Sequence, residues 1–369
     1  MGKSLLRFSV LCLFIVAAVL PVHAANKIDA RFSVLANAEP VPLEDMVNGW
    51  DGDYRRGELA FADLSWDIGF SKDIKFNQQS LGRARISKGY RIYYYLTFDK
   101  ETADFYRALE QKQSLEGNKK LDLTVKHFES PSVSVSYLSP DFNFMAQSFT
   151  SSFSVGLNMY KPGHLQFGKV KGFTYGPTTD EFSANINYRY DQFKLPLLKE
   201  EQNIDTRKGN AYTLDFGLNI NTEDWQLAVN ANDFFSQFNW QQVGVTQVCV
   251  QSFFTNNTTN KGVCATIGGN GRSDIKAVSE TIPVSYHGLL KHKQYDVSLL
   301  GFQHGAYQRL GIEKGFQTGL GRFGLFLYHP QLLGASWQTD YFNVQFGADT
   351  LKLSKARNIQ LSMGVNWHW

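Results

Sequence analysis

Arg91, Tyr93 and Tyr95 stand at alternate positions in a run that ends at Phe98, so in an extended chain they share one face. A guanidinium and two phenols on one face can stack on sugar rings, or they can fill a narrow space with aromatic bulk. Elsewhere the residues able to do chemistry are dispersed. Asp51, Asp53 and nearby Asn48 offer oxygen ligands of the kind calcium takes, but without the loop spacing that makes such a site specific, and Gly/Asp turn chemistry accounts for the same letters. His287, His292 and His304 fall near opposite ends of one predicted hairpin, which suits hydrogen-bonded histidines better than a ligand set. No metal and no cofactor is expected.

The elements that must position these residues read as strands. Phe182, Ala184, Ile186, Tyr188 and Tyr190 alternate with Ser183, Asn185, Asn187, Arg189 and Asp191, and Tyr212, Leu214, Phe216, Leu218 and Ile220 with Thr213, Asp215, Gly217 and Asn219. After a polar turn at Asn221–Asp224, Trp225, Leu227, Val229 and Ala231 alternate with Gln226, Asn230 and Asn232, a hairpin signal. The last residues do the same: Ile359, Leu361, Met363, Val365, Trp367 and Trp369 on one face, Gln360, Ser362, Gly364, Asn366 and His368 on the other. In this final strand the chain resembles Gram-negative outer-membrane β-barrel proteins, whose last strand alternates and ends in an aromatic. The resemblance implies that Trp367 and Trp369 form a signal read by the barrel assembly machinery, and that lipids of the outer membrane surround the wall.

The beginning of the chain agrees. Lys3 and Arg7 precede the apolar Phe8–Leu20, and Val22-His23-Ala24 before Ala25 completes the pattern of a secretory signal peptide over residues 1–24. Aromatics make up 14% of the sequence while the mean hydropathy is −0.29, a combination expected where alternate residues face lipid and water. Losing Lys3 and Arg7 with the leader lowers the formal charge from +3 to +1, leaving no basic field for nucleic acid. Cys249 and Cys264 are the cysteines of the mature chain, and an even pair in an exported protein is most simply a disulfide.

Weaker alternation extends the set to Glu58–Phe70, Ile74–Phe98 as one broken strand, Leu121–Phe128, Ser132–Leu138, Phe142–Met159, His164–Lys171, Lys276–His287, Gln294–Gln303, Phe316–Leu327 and Leu332–Ala348. This predicts an all-β transmembrane antiparallel barrel over residues 58–369 with about fourteen strands, twelve to sixteen being compatible with the pattern. Residues 25–57, with Pro40, Pro42 and a Gly/Asp-rich stretch, read as a periplasmic lead-in or plug. Asp99–Gln113 reads as a short periplasmic helix capped by Asp99. Ser236–Asp274 reads as one long extracellular loop, with both chain ends periplasmic.

The inward positions are the informative surface: Arg91, Tyr93, Tyr95, Asn185, Asn187, Arg189, Asp215, Asn219 and Asn230, with Asp67, Asp191, Asn232, Gln360 and Asn366. Amides and hydroxyls with a few charges of both signs argue against strong ion selectivity. Outer-membrane phospholipases and deacylases place a His two residues before a nucleophilic Ser, and proteases of that class carry Asp-Asp and His-Asp pairs; the chain has neither arrangement. The expected function is therefore a passive channel or export pore for polar, largely uncharged solutes, saccharides among them. The rivals are a plugged transporter for hydrophobic compounds, resembling outer-membrane fatty-acid transporters in strand number and in residues preceding the barrel, and a closed structural or surface-recognition barrel acting through its long loop.

Overall fold

The computed structural model describes residues 26–46, 48–77, 79–115, 117–143, 149–161, 163–174, 182–190, 209–251, 268–330 and 332–368. Their backbone forms one antiparallel sheet whose first and last strands are hydrogen-bonded to each other, so the sheet closes. β1 (Asn26–Ala38) pairs on one side with β2 (Leu59–Phe76) and on the other with β18 (Asn358–His368), from Lys27–His368 to Asn37–Asn358. β3 (Gln79–Phe98) and β4 (Lys120–Leu138) follow. After the two-residue β5 (Phe142–Asn143), β6 (Thr150–Tyr160) and β7 (His164–Thr174) lie end to end along β4 and act as one stave. β8 (Phe182–Tyr190) and β9 (Gly209–Asn221) continue one another in the same way along β7 and β6. β10 (Trp225–Gln251) runs unbroken beside them, and β11 (Gly268–Glu280) and β12 (Ser285–His292) share its far edge. β13 (Val297–His304), β14 (Tyr307–Thr318), β15 (Gly321–His329), β16 (Leu332–Gln338) and β17 (Phe342–Ala348) complete a barrel of fourteen staves.

Alternation decides which side chains face out. Leu214 and Phe216 on β9, Leu310 and Ile312 on β14, and Leu325 and Leu327 on β15 are exposed, Leu310 at 74%, while the residues between them turn inward. An apolar belt of this kind around a closed sheet, with every central backbone group paired, is the construction of a transmembrane β-barrel. Crossing takes about 9–11 residues, yet β10 has 27. Its second half, with the neighbouring ends of β4, β7, β8 and β11, stands beyond the belt as a collar that carries the exposed Lys120, Lys171, Arg272 and Lys276.

Several expectations are corrected. Asn26–Ala38 is not a lead-in or plug but a wall strand, and its pairing with β18 closes the barrel; its alternation is blurred because Val34-Leu35-Ala36 is apolar on both faces. Residues 39–58 lie on the rim opposite the chain ends, where Trp50 packs on Phe98, Tyr54 and Tyr106. The helix forms as α1 (Lys100–Glu110), with the Asp99 carboxylate accepting from the Thr102 N–H at 2.7 Å. It sits on this same distal rim, away from the Asn221–Asp224 turn, and therefore not on the side of the termini. Ile74–Phe98 is the hairpin partner pair β2–β3, Phe316–Leu327 straddles the β14–β15 turn, and Leu332–Ala348 is two strands, whereas Leu121–Leu138 is one. Most of Ser236–Asp274 is strand, leaving 252–267 outside the described residues, as are the signal peptide and Trp369.

A lipid-facing charge at mid-wall costs about 2–4 kcal/mol, whereas an inward one need not. Leu214→Lys is therefore expected to lower the unfolding free energy in vesicles far more than Asn219→Lys. A reversed ranking would show that the two faces of β9 have been exchanged, and equal losses that this stretch does not stand in the membrane as described.

Candidate functional site: a septum across the lumen

Around the barrel β2 is the second stave and β13 the ninth, so they face each other across the lumen. Their side chains nevertheless meet. Phe61 on β2 lies with its ring centroid 5.2 Å from His304 on β13 and 5.1 Å from Tyr307 on β14. From β3, the Tyr93 hydroxyl is 3.0 Å from His304 Nε2, and His304 Nδ1 is 2.6 Å from the Ser285 hydroxyl. The Tyr95 hydroxyl accepts the backbone N–H of Ala306 at 3.0 Å. Gly305, at φ +56°, is the residue that fits there, since a side chain would collide with the Tyr95 ring. Tyr93 is 0% exposed. Of the two roles open to Tyr93 and Tyr95, filling is the one the structure displays.

Beside this aromatic contact runs an ionic one. Arg91 donates to both oxygens of Asp233 at 2.9 and 2.7 Å and to both oxygens of Asp63 at 2.9 and 2.7 Å, with Nη1 also 3.1 Å from the Tyr160 hydroxyl. Asp233 reaches Arg91 because β10 carries a bulge between Ala231 and Phe235, where Asp233 takes φ +56°. A bulge re-aims a side chain; here the Asp233 N–H donates to Asp215 at 2.9 Å and its carboxylate turns inward. Phe128, Tyr160, Phe167, Phe238 and Trp240 pack behind the pair as a continuous apolar cluster. On the other half of the barrel Arg309 of β14 donates to Gln360 of β18, and Asn358 to the Tyr307 hydroxyl. An interior fourteen staves wide is broader than most side chains span, and arginines and tyrosines are long enough to meet across it.

On the terminal side of this septum the lumen opens into polar recesses. One of about 820 Å³ is lined by Gln226, Lys291, Ser298, Glu313, Arg322 and Gln338, another of about 220 Å³ by Arg31, Ser33, Asp67, Asn343, Ser362 and Asn366. Asn219 accepts from Gln226 at 3.3 Å, and Asn230 lies against Gly217. Asn185, Asn187 and Arg189 stand higher, on the collar strand β8, where Arg189 pairs with Glu280 at 3.0 Å. Asp215 accepts from Asn158 at 2.7 Å. Trp367 is exposed near the terminal rim. Cys249 lies on β10, and Cys264 falls outside the described residues. Asp63, Asp233, His304 and Arg309 were not among the expected site residues. The Phe234-Phe235 doublet, both exposed, is the sequence trace of the bulge, because two successive outward aromatics cannot belong to one unbroken alternation.

At the recess mouth, Arg322 hydrogen-bonds the Asp296 carboxylate at 2.8 Å and, with Lys291 at 2.8 Å, holds its carboxyl down at about 2.

No family model matches this sequence, and no curated protein matches it. Among solved structures it is similar to the toluene transporter TodX of P. putida, at 9% identity and a TM-score of 0.38, covering 95% of this chain and 91% of that one. A deltaS2S3 mutant of the TodX monoaromatic hydrocarbon channel gives 9% and 0.40 over 94% and 90%. The transport unit of the autotransporter AIDA-I of Escherichia coli gives 9% and 0.23 over 97% and 94%. These likenesses are loose, and the barrel stands on the chain's own strand pairing.

Two predictions follow from the geometry. Removing the cation of a buried pair strands its carboxylates, so Arg91→Met should cost about 3–5 kcal/mol, and adding Asp233→Leu and Asp63→Leu should restore most of it, as read by urea unfolding in vesicles. A loss that the added substitutions deepen would sink the pairing argument. A carboxyl depressed in the fold stabilises it fully above the unfolded value of about 3.9, and that contribution disappears as pH falls through the folded value. Wild-type protein should therefore lose stability more steeply than Asp296→Asn on acidification from about pH 4 to about pH 2; parallel acid titrations would refute this.

Proposed function

We propose that this protein is an outer-membrane transport barrel for polar solutes that rests closed at its septum and conducts when the septum's side chains part. The observation that carries the reading is the contact of Tyr93 and Arg91 with His304 and Asp233 across a lumen that is open and polar on one side of them. A merely structural barrel has no need of a solvated, mixed-charge recess. Amides, hydroxyls and paired charges in that recess suit neutral or weakly charged polar solutes, saccharides among them, better than an ion stream. With the chain ends in the periplasm and the collar outside, the usual arrangement for this class of barrel, the open recess faces the periplasm. That favours loading from inside, and hence export. The same reading places a disulfide between Cys249 and Cys264 across the outermost connection.

Planar-bilayer recording tests it. Wild-type protein is expected to be silent or to open briefly, and Tyr93→Ala with Tyr95→Ala to conduct steadily. A folded double variant that stays silent would favour the closed structural barrel, and a steadily open wild type would favour an unrestricted pore.

A further inference from the structure

The two ends of the lumen differ in charge. Toward the chain ends the recesses balance it: Lys291 and Arg322 stand with Glu313 and Asp340 in one, and Arg31 with Asp67 in the other. The collar does not. Directly paired residues of neighbouring strands share a face, and the pairing identifies which residues look inward there. Lys126 of β4 is opposite Phe167 of β7, then follow Arg189 of β8, Val245 of β10 and Asp274 of β11. Phe167 belongs to the aromatic cluster of the septum, so this whole row faces inward. Alternate residues keep the same face. Two residues further from the septum the row therefore reads Thr124, Lys169, Asn187, Gln247 and Arg272, and the next carries Asp122, Lys171 and Asn185. Lys126 reaches from this face to the Thr281 carbonyl beyond β11, donating at 2.7 Å.

On the inner faces of these five strands, Lys126, Lys169, Lys171, Arg189, Arg272 and Lys276 meet only Asp122, Asp274 and Glu280. Arg189 pairs with Glu280 at 3.0 Å, Arg272 and Lys276 share Asp274 at 3.0 and 3.5 Å, and Lys171 stands 4.0 Å from Asp122. Lys169 has no ion pair among the described residues. The middle row holds no carboxylate at all, and its side chains have room: Lys169 and Gln247 are exposed, and the Arg272 side chain is 74% exposed. With strands about 4.8 Å apart, Lys169 and Arg272 stand about 14 Å apart along the row, with the Asn187 and Gln247 amides between them. Cations lining a concave wall add their fields and draw in anions. A cation at each end and amides between them match a chain that carries carboxylates at intervals and hydroxyls throughout.

We infer that the inner face of the collar is a binding site for an acidic saccharide chain, whose carboxylates engage Lys169 and Arg272 while its hydroxyls engage Asn187 and Gln247. The inference deepens the transport reading by naming its substrate class, and rests on that reading for its purpose but not for its test. A polyanion without hydroxyls would use the two cations and leave both amides idle, and a neutral saccharide would do the reverse.

The experiment measures equilibrium binding of three labelled probes to the full-length barrel in detergent at low ionic strength: tetragalacturonate, maltotetraose, which lacks the carboxylates, and tetraglutamate, which lacks the hydroxyls. Tetragalacturonate should bind more tightly than either of the others, and its affinity should fall as salt is added. Lys169→Gln with Arg272→Gln should weaken it about tenfold. Asn187→Ala with Gln247→Ala should also weaken it about tenfold and leave tetraglutamate unaffected. Lys352→Gln with Lys355→Gln, exposed elsewhere on the distal rim, should change nothing. Heat-modifiable mobility shows that each variant is a folded barrel, and Lys169→Gln alone carries the comparison if its double variant is not. Tetragalacturonate binding no tighter than either other probe, undiminished in the cation or the amide variant, or equally weakened by the Lys352 and Lys355 changes would overturn the inference. Binding is read with the septum shut and conductance with it open, so this inference and the transport reading fail separately.

Discussion

Hydrocarbon offers no partner for a peptide N–H or C=O, so a sheet that stands in a membrane has to close on itself. In this protein closure is the ladder between β1 and β18, which brings Lys27 beside His368 and Asn37 beside Asn358. Everything else is conditional on it. The belt of outward leucines and phenylalanines has meaning only on a surface without edges, and the lumen exists only because the sheet encloses one. The closing strand beside β18 is also the strand with the least distinct alternation, which is tolerable because its pairing is fixed from both sides.

A closed wall still leaves the interior to be settled, and here the interior is settled twice. Toward the termini it is wet and lined by amides, hydroxyls and paired charges. At the septum it is packed with aromatics around the Arg91 ion pairs, as a soluble core would be. The two solutions differ in what each asks of a charge. In the recess an ion pair such as Asp296–Arg322 has water nearby and contributes modestly. In the septum Arg91 is tolerable only because two carboxylates and a phenol satisfy its donors together. Arg309, with no carboxylate partner among the described residues, is held instead by the Gln360 side chain and the Tyr307 hydroxyl. Beyond the wall, the distal rim is held by a third, small core in which Trp50, Tyr54, Phe98 and Tyr106 tie the 39–58 segment to α1. The Tyr54 hydroxyl donates to Asp104 at 2.7 Å, and its pKa is raised by burial and by that carboxylate.

Fourteen staves were legible from the sequence, yet the strands making up that number differ. Missing β1, fusing β14 with β15 and fusing β16 with β17 were offset by splitting three staves that are continuous in space. The cause is local. Pro131 within β4, the break between Tyr160 and His164, and the step from β8 to β9 each interrupt alternation without ending the stave. Only a shared neighbour, as β10 is for β11 and β12, reveals that two pieces are one.

By itself the sequence determined the class of the protein and the facing of its clear strands, because lipid and water sort side chains at period two and that sorting is written residue by residue. It also brought Arg91, Tyr93 and Tyr95 to the inward face. What those residues touch was decided by tertiary structure. Whether a phenol lines a pore or spans it depends on which stave lies opposite, and Asp233, His304 and Gln360 come from strands remote in the chain. The rim that carries α1 and the 39–58 segment was decided there too, since one additional strand at the start reverses the side on which the next connections emerge.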